Sequence, residues 1–299
     1  MQAKLKIILA MVVFGTIPIF VKNIPLSSGE ISLFRAIIAS LAIILWKYVS
    51  GKKIPFSDIK DDIPILFLSG AAMGFNWILL FQAYRYTTVS IATLSYYFAP
   101  VIVMAVSPFL FKEKPTMKQI LCFVMATVGL VLIIGVNGMG KSGKGMMGIG
   151  FGLGAAALYA LVVILNKYIK RVTGTDRTLI QFFAAILILM PYVMATTGIG
   201  IATLDFIGML NLLTLGLVHT GISYVLYFSS LKDLDGQEAA ILSYIDPFVA
   251  VVISVAILNE PITPAQVIGG IMILGFTLLN EIKLKSKVSC GIARNKKTV

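Results

Sequence analysis

Long apolar stretches separated by short polar breaks follow one another along the whole 299-residue chain. Many of them reach the roughly 20 residues that a helix needs to cross the hydrocarbon core of a bilayer. The two-residue alternation of a transmembrane β-barrel is absent from the sequence. The pattern predicts an all-α membrane protein with ten transmembrane helices, near residues 5–22, 29–49, 63–84, 88–110, 117–136, 146–169, 178–198, 206–230, 237–258 and 264–282.

The second half of the chain repeats motifs of the first half. Leu-Ser-Tyr occurs at 94–96 and at 242–244, and a proline follows each copy within four residues. Thirteen residues after each proline comes a glutamate, and six residues later a glutamine, which gives Pro100, Glu113 and Gln119, then Pro247, Glu260 and Gln266. The stretch 14–22 matches 159–167, so that Lys22 corresponds to Lys167. A repeat of five spans is an odd number, and its two copies are therefore inverted relative to each other.

Lysine and arginine are distributed unevenly among the connecting segments. With both termini inside, the predicted cytoplasmic segments contain 20 of the 25 Lys and Arg residues, and the outer segments contain only Lys22, Arg85, Lys141 and Lys144. Arg35 lies within the second predicted helix. Because cytoplasmic loops carry the excess of basic residues, both termini are predicted in the cytoplasm and the protein in the inner (plasma) membrane.

The repeat divides the chain into four regions. They are a first repeat at 1–137, a linker at 138–145, a second repeat at 146–282 and a basic cytoplasmic tail at 283–299. The linker approximates a phosphate-binding GxxxxGK[ST] loop, but it ends in Gly145 instead of Ser or Thr and follows a membrane helix instead of a strand. It is therefore interpreted as a connection and not as a nucleotide site.

Composition narrows the possible partners. The chain is 58% hydrophobic and 13% charged, with a mean hydropathy of +0.95, so the lipid bilayer is its expected surroundings. The net charge of +12 comes from helix ends and does not indicate a nucleic-acid partner. The only cysteines are Cys122 and Cys290, too few for a disulfide framework or a metal site. No metal and no cofactor are expected.

These motifs resemble the EamA-type transporters of the drug/metabolite transporter superfamily, and the resemblance covers residues 5–282. Its best-matching parts are Phe14-Gly15, Lys22, Arg35, Phe81, Ala83-Tyr84, Tyr86-Thr87, Pro100, Glu113, Gln119 and Gly129, with Pro247, Glu260, Gln266 and Gly270 in the second half. The resemblance implies ten helices in two inverted EamA repeats and transport of amino acids, other metabolites or drugs, mostly as export. The chain departs from the family pattern at Lys112 and at Gln181, where a glycine and a counterpart of Arg35 would be expected.

Three ionisable side chains, Arg35, His219 and Asp246, are predicted within the hydrocarbon region. A charge there costs roughly 3 kcal/mol on insertion scales, so each is a candidate for coupling or substrate binding. Asp246 precedes Pro247, whose missing amide loosens the backbone and suits a proton, a cation or a substrate ammonium. The alternative is a protonated Asp246 that only bonds to a neighbouring helix.

His219 and Arg35 also have two interpretations each. The imidazole of His219 can exchange protons near neutral pH, or it can serve only as a hydrogen-bonding group between helices. The guanidinium of Arg35 stays charged and needs an anionic or polar partner. Pairing within the protein is the favoured structural explanation, and Glu30, a little more than one helical turn away, is a candidate partner.

Aromatic and amide side chains are predicted near mid-depth on corresponding helices of the two repeats. They are Asn76, Trp77, Gln82, Tyr96, Tyr97, Tyr159, Tyr224 and Tyr244. With His219 and Asp246, all but Gln82 form the predicted substrate-binding set, and core packing is the alternative for any single member. Pro100 and Pro247 join the three ionisable residues as candidates for coupling or gating.

The leading hypothesis is a secondary transporter that moves a small metabolite across the inner membrane by alternating access. Export of amino acids or related metabolites is the favoured activity, and a proton or cation is a candidate coupling ion. The alternatives are an integral membrane enzyme and a flippase, each acting on a lipid-linked substrate. Convergent catalytic groups for an enzyme are few in this sequence. The oligomeric state is expected to be a monomer or a homodimer.

Overall fold

A computed structural model of the chain describes residues 3–51, 60–111, 116–137, 144–169, 171–172, 174–230 and 242–281. The regular secondary structure in these residues is helical throughout. Seven helical segments are long and apolar enough to cross a membrane, and three shorter apolar helices accompany them. These segments equal the ten predicted spans in number, and the predicted all-α membrane fold is confirmed.

The helices are numbered here in chain order. They are α1 (Ala3–Gly15), α2 (Ile17–Lys22), α3 (Ser28–Val49), α4 (Ile63–Tyr86), α5 (Val89–Tyr96), α6 (Ala99–Phe111), α7 (Met117–Asn137), α8 (Lys144–Tyr168), α9 (Gly174–Thr196), α10 (Phe206–Thr214), α11 (Ser223–Ser230), α12 (Ile245–Ala256) and α13 (Pro264–Glu281). A π-helix, Leu215–Ile222, joins α10 to α11, and short 3₁₀ turns occupy Lys60–Asp62 and Ile201–Thr203.

Two of the predicted continuous helices are interrupted. The span near 5–22 breaks at Thr16, where amides bond three residues back and not four: Thr16 to Val13 and Ile19 to Thr16, both at 3.1 Å. The span near 88–110 breaks at Tyr97 and Phe98, between α5 and α6. A proline follows each break within three residues, and its missing amide leaves a carbonyl four residues earlier without a helical partner.

The ninth predicted span, near 237–258, also differs from the prediction. Its regular part α12 begins at Ile245, after a turn at Tyr244, and ends at Ala256. Asp246 therefore lies in the first turn of a helix and not near the middle of one. Residues 231–241 lie outside the described residues. The same is true of 138–143 in the predicted linker, of Glu113 and of the tail at 283–299, and α8 already begins at Lys144.

Helices of the two repeats pack directly against each other. α4 of the first repeat packs on α8 and α9 of the second, and α7 packs on α13. Small residues allow this approach: a Cβ on Gly70 would lie 2.3 Å from the Gln181 carbonyl oxygen. Gly129 and Gly269 approach each other in the same way, with Cβ-to-carbonyl distances of 2.7 and 2.5 Å. The interlocked helices surround the region where the broken helices meet.

The break in the first span lies against the start of α12. A Cβ on Gly15 would be 2.6 Å from the Cβ of Val249 and 2.8 Å from the Asp246 carbonyl oxygen. Only glycine fits at this distance. The break in the first span, in the first repeat, therefore meets the start of α12, in the second repeat, and this contact places Asp246 where the two repeats touch.

Candidate functional site

A cavity of about 680 Å³ lies between the two repeats. It is lined by the broken first and fourth spans, by α12 and the turn before it, by α3, α4, α8, α9 and α11, and by the start of α7 and the end of α13. The lining is mainly apolar and aromatic, and among its charged side chains are Arg35 and Asp246. Such a composition is typical of a small-molecule site, in which a few polar groups orient a mostly apolar ligand.

Arg35 is held at one edge of its guanidinium. Its Nε donates to the hydroxyl of Thr220 over 2.6 Å, and its Cζ lies 4.5 Å above the ring of Trp77 and 5.6 Å from that of Phe81. Arg35 and Glu30 form no ion pair within the part of the chain that the structure describes, so the predicted pairing is wrong. Glu30 instead completes a capping box with Ser27 at the start of α3.

The π-helix explains why Thr220 is available to Arg35. In this turn the hydroxyl of Thr220 donates to the carbonyl of Leu215, five residues earlier, over 2.8 Å. Its oxygen therefore remains as an acceptor for Nε of Arg35. A single π turn inside an α-helix is rare and is frequent at functional sites. Here the irregular turn orients the one arginine in the centre of the cavity.

Asp246 contacts the cavity from the opposite repeat. The hydroxyl of Tyr97, at the break between α5 and α6, donates to Oδ2 of Asp246 over 2.6 Å. Tyr97 lies at the break of the fourth span, in the first repeat, and Asp246 lies in the first turn of α12, in the second. A helix break and a helix start thus bring a phenol and a carboxylate together.

Aromatic rings form a connected group along the cavity. Tyr96 lies 5.6 Å from Tyr97 and 5.5 Å from Tyr159 between ring centroids, and Tyr97 lies 6.5 Å from Tyr244. On the side of Arg35, Tyr224 lies 5.4 Å from Phe14. Rings at these spacings offer both faces and edges to an apolar ligand or to an ammonium group.

Most of the residues predicted from the sequence come together around this cavity. Those that line it are Arg35, Trp77, Tyr96, Tyr97, Pro100, Tyr159, Tyr224, Tyr244 and Asp246. Asn76, His219 and Pro247 do not line it. Asn76 is buried and donates to the carbonyl of Ala155 over 2.6 Å, which joins α4 to α8.

His219 lies behind the cavity and contacts the break in the first span. Its Nε2 is 2.8 Å from the hydroxyl of Thr16, its Nδ1 is 3.2 Å from the carbonyl of Thr214, and its ring centroid is 4.5 Å from that of Phe20. The imidazole thus connects the π-helix to the point where α1 gives way to α2. In this structure His219 contacts the helix break and not the cavity.

A network around Glu260 lies outside the cavity lining, at the end of the bundle where α2 ends and α5 begins. The carboxylate forms an ion pair with Lys22 at the end of α2, and it accepts the amide of Val89 at 2.7 Å and the hydroxyl of Ser254 at 2.5 Å. The hydroxyl of Ser254 also accepts the amide of Ser90 at 3.2 Å. This outer cluster, Lys22, Val89, Ser90, Ser254 and Glu260, joins the first span, the start of α5 and the segment after α12.

The lining of the cavity continues to the opposite end of the helix bundle. Residues at the corresponding ends of α7, α8, α9 and α13 contribute to it: Gln119, Asn166, Lys167, Arg177 and Asn280. Gln181, the counterpart of Arg35 in the second repeat, lies at the same end, where its amide donates to Ser69 at 2.7 Å and to Asn166 at 2.8 Å. The two ends of the cavity are therefore built differently.

The sequence did not single out Thr220, nor the outer cluster as a unit. Thr220 matters only because of the π-helix, for which the sequence carries no simple signal. The outer cluster had a weak signal, because Lys22 and Glu260 both recur in the repeat at Lys167 and Glu113. The repeat identified the two positions but not their contact with each other.

Comparison with known proteins agrees with this architecture. The profile of the EamA-like transporter family matches residues 2–135 and 146–281. An uncharacterized transporter of Bacillus subtilis, YxxF, is 29% identical over 96% of this chain and 92% of its own length. A probable amino-acid metabolite efflux pump of Salmonella typhimurium is 23% identical over 74% of this chain and 78% of its own length.

The fold also occurs among solved structures. One crystal structure superposes with a TM-score of 0.66 and 17% identity, and the match covers 93% of this chain and 96% of the other. At this identity the likeness concerns the fold alone.

Proposed function

The chain belongs to the EamA-like transporter family, a family of multi-pass membrane proteins, and we propose that it exports amino acids or related small metabolites across the inner membrane by alternating access. The observation that carries the proposal is the cavity itself. Its lining reaches one end of the bundle, and at the other end the contacts of the outer cluster join the first span to the start of α5 and to the segment after α12. We propose that these contacts close that end. A carrier in one of two alternating conformations needs this combination.

The charge distribution supports a direction for this asymmetry. The end lined by Lys167 and Arg177 belongs to the segments with the excess of basic residues, and Lys22 and Glu260 belong to the opposite side. With the termini in the cytoplasm, the cavity faces the cytoplasm in this conformation. An exporter binds its substrate from that side.

The amino-acid component of the proposal rests on the lining and on one relative. The cavity combines aromatic rings with an arginine and an aspartate, which suits a partly apolar, charged metabolite. The Salmonella relative carries the name of an amino-acid metabolite efflux pump. Proton or cation coupling is part of the proposal, with Asp246 in the cavity and His219 at the helix break as candidates.

Reconstituted transport tests the function. Purified protein in proteoliposomes preloaded with unlabelled L-phenylalanine is expected to accumulate radiolabelled L-phenylalanine by counterflow, whereas protein-free liposomes do not. Joining cysteines introduced at positions 22 and 260 with a bifunctional thiol reagent should stop transport, because the outer end then stays closed. Cleavage of a reducible version of the linker should restore it.

Two results would overturn the proposal. One is an absence of counterflow for every member of a panel of amino acids and related amines and acids. The other is full transport by the cross-linked protein. If lipid-linked compounds are moved and water-soluble ones are not, the flippase alternative replaces it.

Coupling requires its own measurement. His219→Ala and Asp246→Asn variants are expected to lose accumulation driven by a pH gradient if these groups carry the proton. His219 does not line the cavity, so His219→Ala should keep exchange at equal pH, whereas Asp246→Asn is compared at saturating substrate because Asp246 lines the cavity. Full gradient-driven accumulation by both variants would remove proton coupling at these residues from the proposal.

A further inference from the structure

Two opposite charges line the cavity without pairing. Within the described residues the ion pairs are Lys22–Glu260 and Lys47–Asp176, and neither Arg35 nor Asp246 takes part in one. Arg35 is only 3% exposed, and Asp246 lies in the first turn of α12. Buried opposite charges normally neutralise each other directly, because an unpaired charge in such surroundings is costly.

Each of the two charges has used only part of its hydrogen-bonding capacity. Nε of Arg35 donates to the hydroxyl of Thr220, and among the described residues its Nη groups have no acceptor. Asp246 accepts from Tyr97 at Oδ2, and Oδ1 has no donor there. The groups that remain are a planar pair of N–H donors and a carboxylate oxygen, both on the wall of one cavity.

The neighbouring side chains hold both charges in place without neutralising them. Thr220 and the ring of Trp77 are uncharged and fix the guanidinium from one edge and one face. Tyr97 is uncharged and fixes the carboxylate. Rigid support by neutral partners preorganises a binding group and leaves its charge available to a ligand.

We propose that this cavity binds a zwitterion, with its carboxylate on the Nη groups of Arg35 and its ammonium on Oδ1 of Asp246. The substrate class is the free α-amino acid with an apolar or aromatic side chain, which packs against the tyrosines of the wall. The inference rests on the proposed transport function and adds which chemical groups the substrate must carry.

The chemistry of each pole explains the requirement for both. A carboxylate binds a guanidinium through two parallel hydrogen bonds, and an ammonium binds a carboxylate next to aromatic rings with an added cation–π contribution. A plain amine leaves Arg35 uncompensated in the cavity, and a plain acid leaves Asp246 uncompensated. Binding of either analogue would therefore leave one buried charge unpaired, which lowers its affinity.

A matched series of ligands and variants tests the assignment. The ligands are L-phenylalanine, phenethylamine, which lacks the carboxylate, and 3-phenylpropionate, which lacks the ammonium. Binding is measured by calorimetry on the full-length protein in detergent, with wild type, Arg35→Gln and Asp246→Asn. Wild type should bind L-phenylalanine at least about tenfold more tightly than either analogue, because each lost charged hydrogen bond is worth 1.4 kcal/mol or more.

Each variant should lose affinity only for ligands that carry the group which the replaced side chain binds. Arg35→Gln should weaken L-phenylalanine by about tenfold or more and should not weaken phenethylamine, because the amine does not use Arg35. Asp246→Asn should weaken L-phenylalanine similarly and should not weaken 3-phenylpropionate. A merely structural role would weaken all three ligands together and would overturn the assignment.

The remaining outcomes are also decisive. If L-phenylalanine does not bind to wild type, or binds no better than its analogues, the proposal is wrong. If a variant does not fold, Arg35→Lys and Asp246→Glu replace it, and they should bind L-phenylalanine more weakly than wild type, with the analogue that lacks the affected pole unchanged. Zwitterion binding without counterflow would refute the transport function alone, and counterflow without this charge pattern would refute the zwitterion site alone.

Discussion

The two ends of the cavity use corresponding lysines in different ways. Lys22 at the outer end is paired with Glu260, whose carboxylate also holds Val89 and Ser254. Lys167, its counterpart in the second repeat, lines the cavity at the opposite end. Equivalent residues of an inverted repeat thus occupy different surroundings within one conformation.

This difference shows how an approximately symmetric sequence produces a conformation whose two ends differ. Two inverted copies give two conformations of similar energy, and in each conformation one end must be closed while the other is open. In the proposed cycle the outer cluster stabilises the cytoplasm-facing conformation relative to the other one. Weakening this cluster should change the balance between the two conformations, because its contacts contribute to only one of them.

One reporter measures this balance. Thr93 lines the cavity one helical turn from Val89, so a Thr93→Cys reporter is reached from outside only when the outer end opens. The reporter protein carries Cys122→Ala and Cys290→Ala, and the rate of labelling by a membrane-impermeant maleimide in intact cells is the readout.

Glu260→Ala should have the largest effect. It removes the ion pair with Lys22 and two hydrogen bonds to a carboxylate, together about 3 kcal/mol, or on the order of 100-fold in the population of the outward-open form. Labelling from outside should rise accordingly until the open form predominates. The matched control is Asp176→Ala, which removes the ion pair with Lys47 away from the cavity lining and should leave outside labelling unchanged. Equal labelling in both variants would contradict the role of the outer cluster.

Reversal of the charge at the other partner should have the next largest effect. Lys22→Glu places two carboxylates together, and outside labelling should rise by about tenfold, because attraction is replaced by repulsion. Glu260→Lys places two ammonium groups together and serves as the reference for the double variant. The double variant with both reversals should label more slowly than Glu260→Lys alone, since opposite charges again face each other. If the double variant labels faster than both single variants, the two residues do not act as a pair.

Lys167→Ala tests the opposite end and should have a smaller effect. This residue is not in the outer cluster, so labelling of the Thr93→Cys reporter from outside should not rise. If Lys167 contributes to closing the cytoplasmic end in the other conformation, counterflow should slow by roughly threefold, which corresponds to about 0.65 kcal/mol. Increased outside labelling in this variant would show that the two ends are not distinguished as proposed.

The helices and the correspondence between the two halves could be predicted from the sequence, because both follow from local rules. The long apolar stretches require helices in a bilayer, and the matched spacing of Pro100, Glu113 and Pro247, Glu260 identified corresponding positions without any coordinates. Pro18 and Pro100 lie next to the two helix breaks, and Pro247 lies next to the start of α12. Most of the predicted aromatic residues line one cavity. They lie on corresponding helices of the two repeats.

What the sequence did not predict depends on long-range contacts. Arg35 was expected to pair with Glu30 on its own helix, but Glu30 caps that helix with Ser27 and Arg35 extends to Thr220, 185 residues further along the chain. His219 was expected in the cavity, but the π-helix turns it toward Thr16. The backbone register of a π turn decides both contacts, and apolar periodicity does not reveal that register.

Ser254→Ala should give the smallest change and separates the ion pair from the rest of the outer cluster. It removes the 2.5 Å hydrogen bond to Glu260 and the acceptor for the amide of Ser90, while the ion pair with Lys22 and the bond from Val89 remain. The loss is offset in part because the amide of Ser90, at the start of a helix, can bond to water when the outer end opens. Outside labelling of the reporter should therefore rise by only roughly twofold, equivalent to about 0.5 kcal/mol. A rise as large as that of Glu260→Ala would mean that the serine, and not the ion pair, holds the outer end closed.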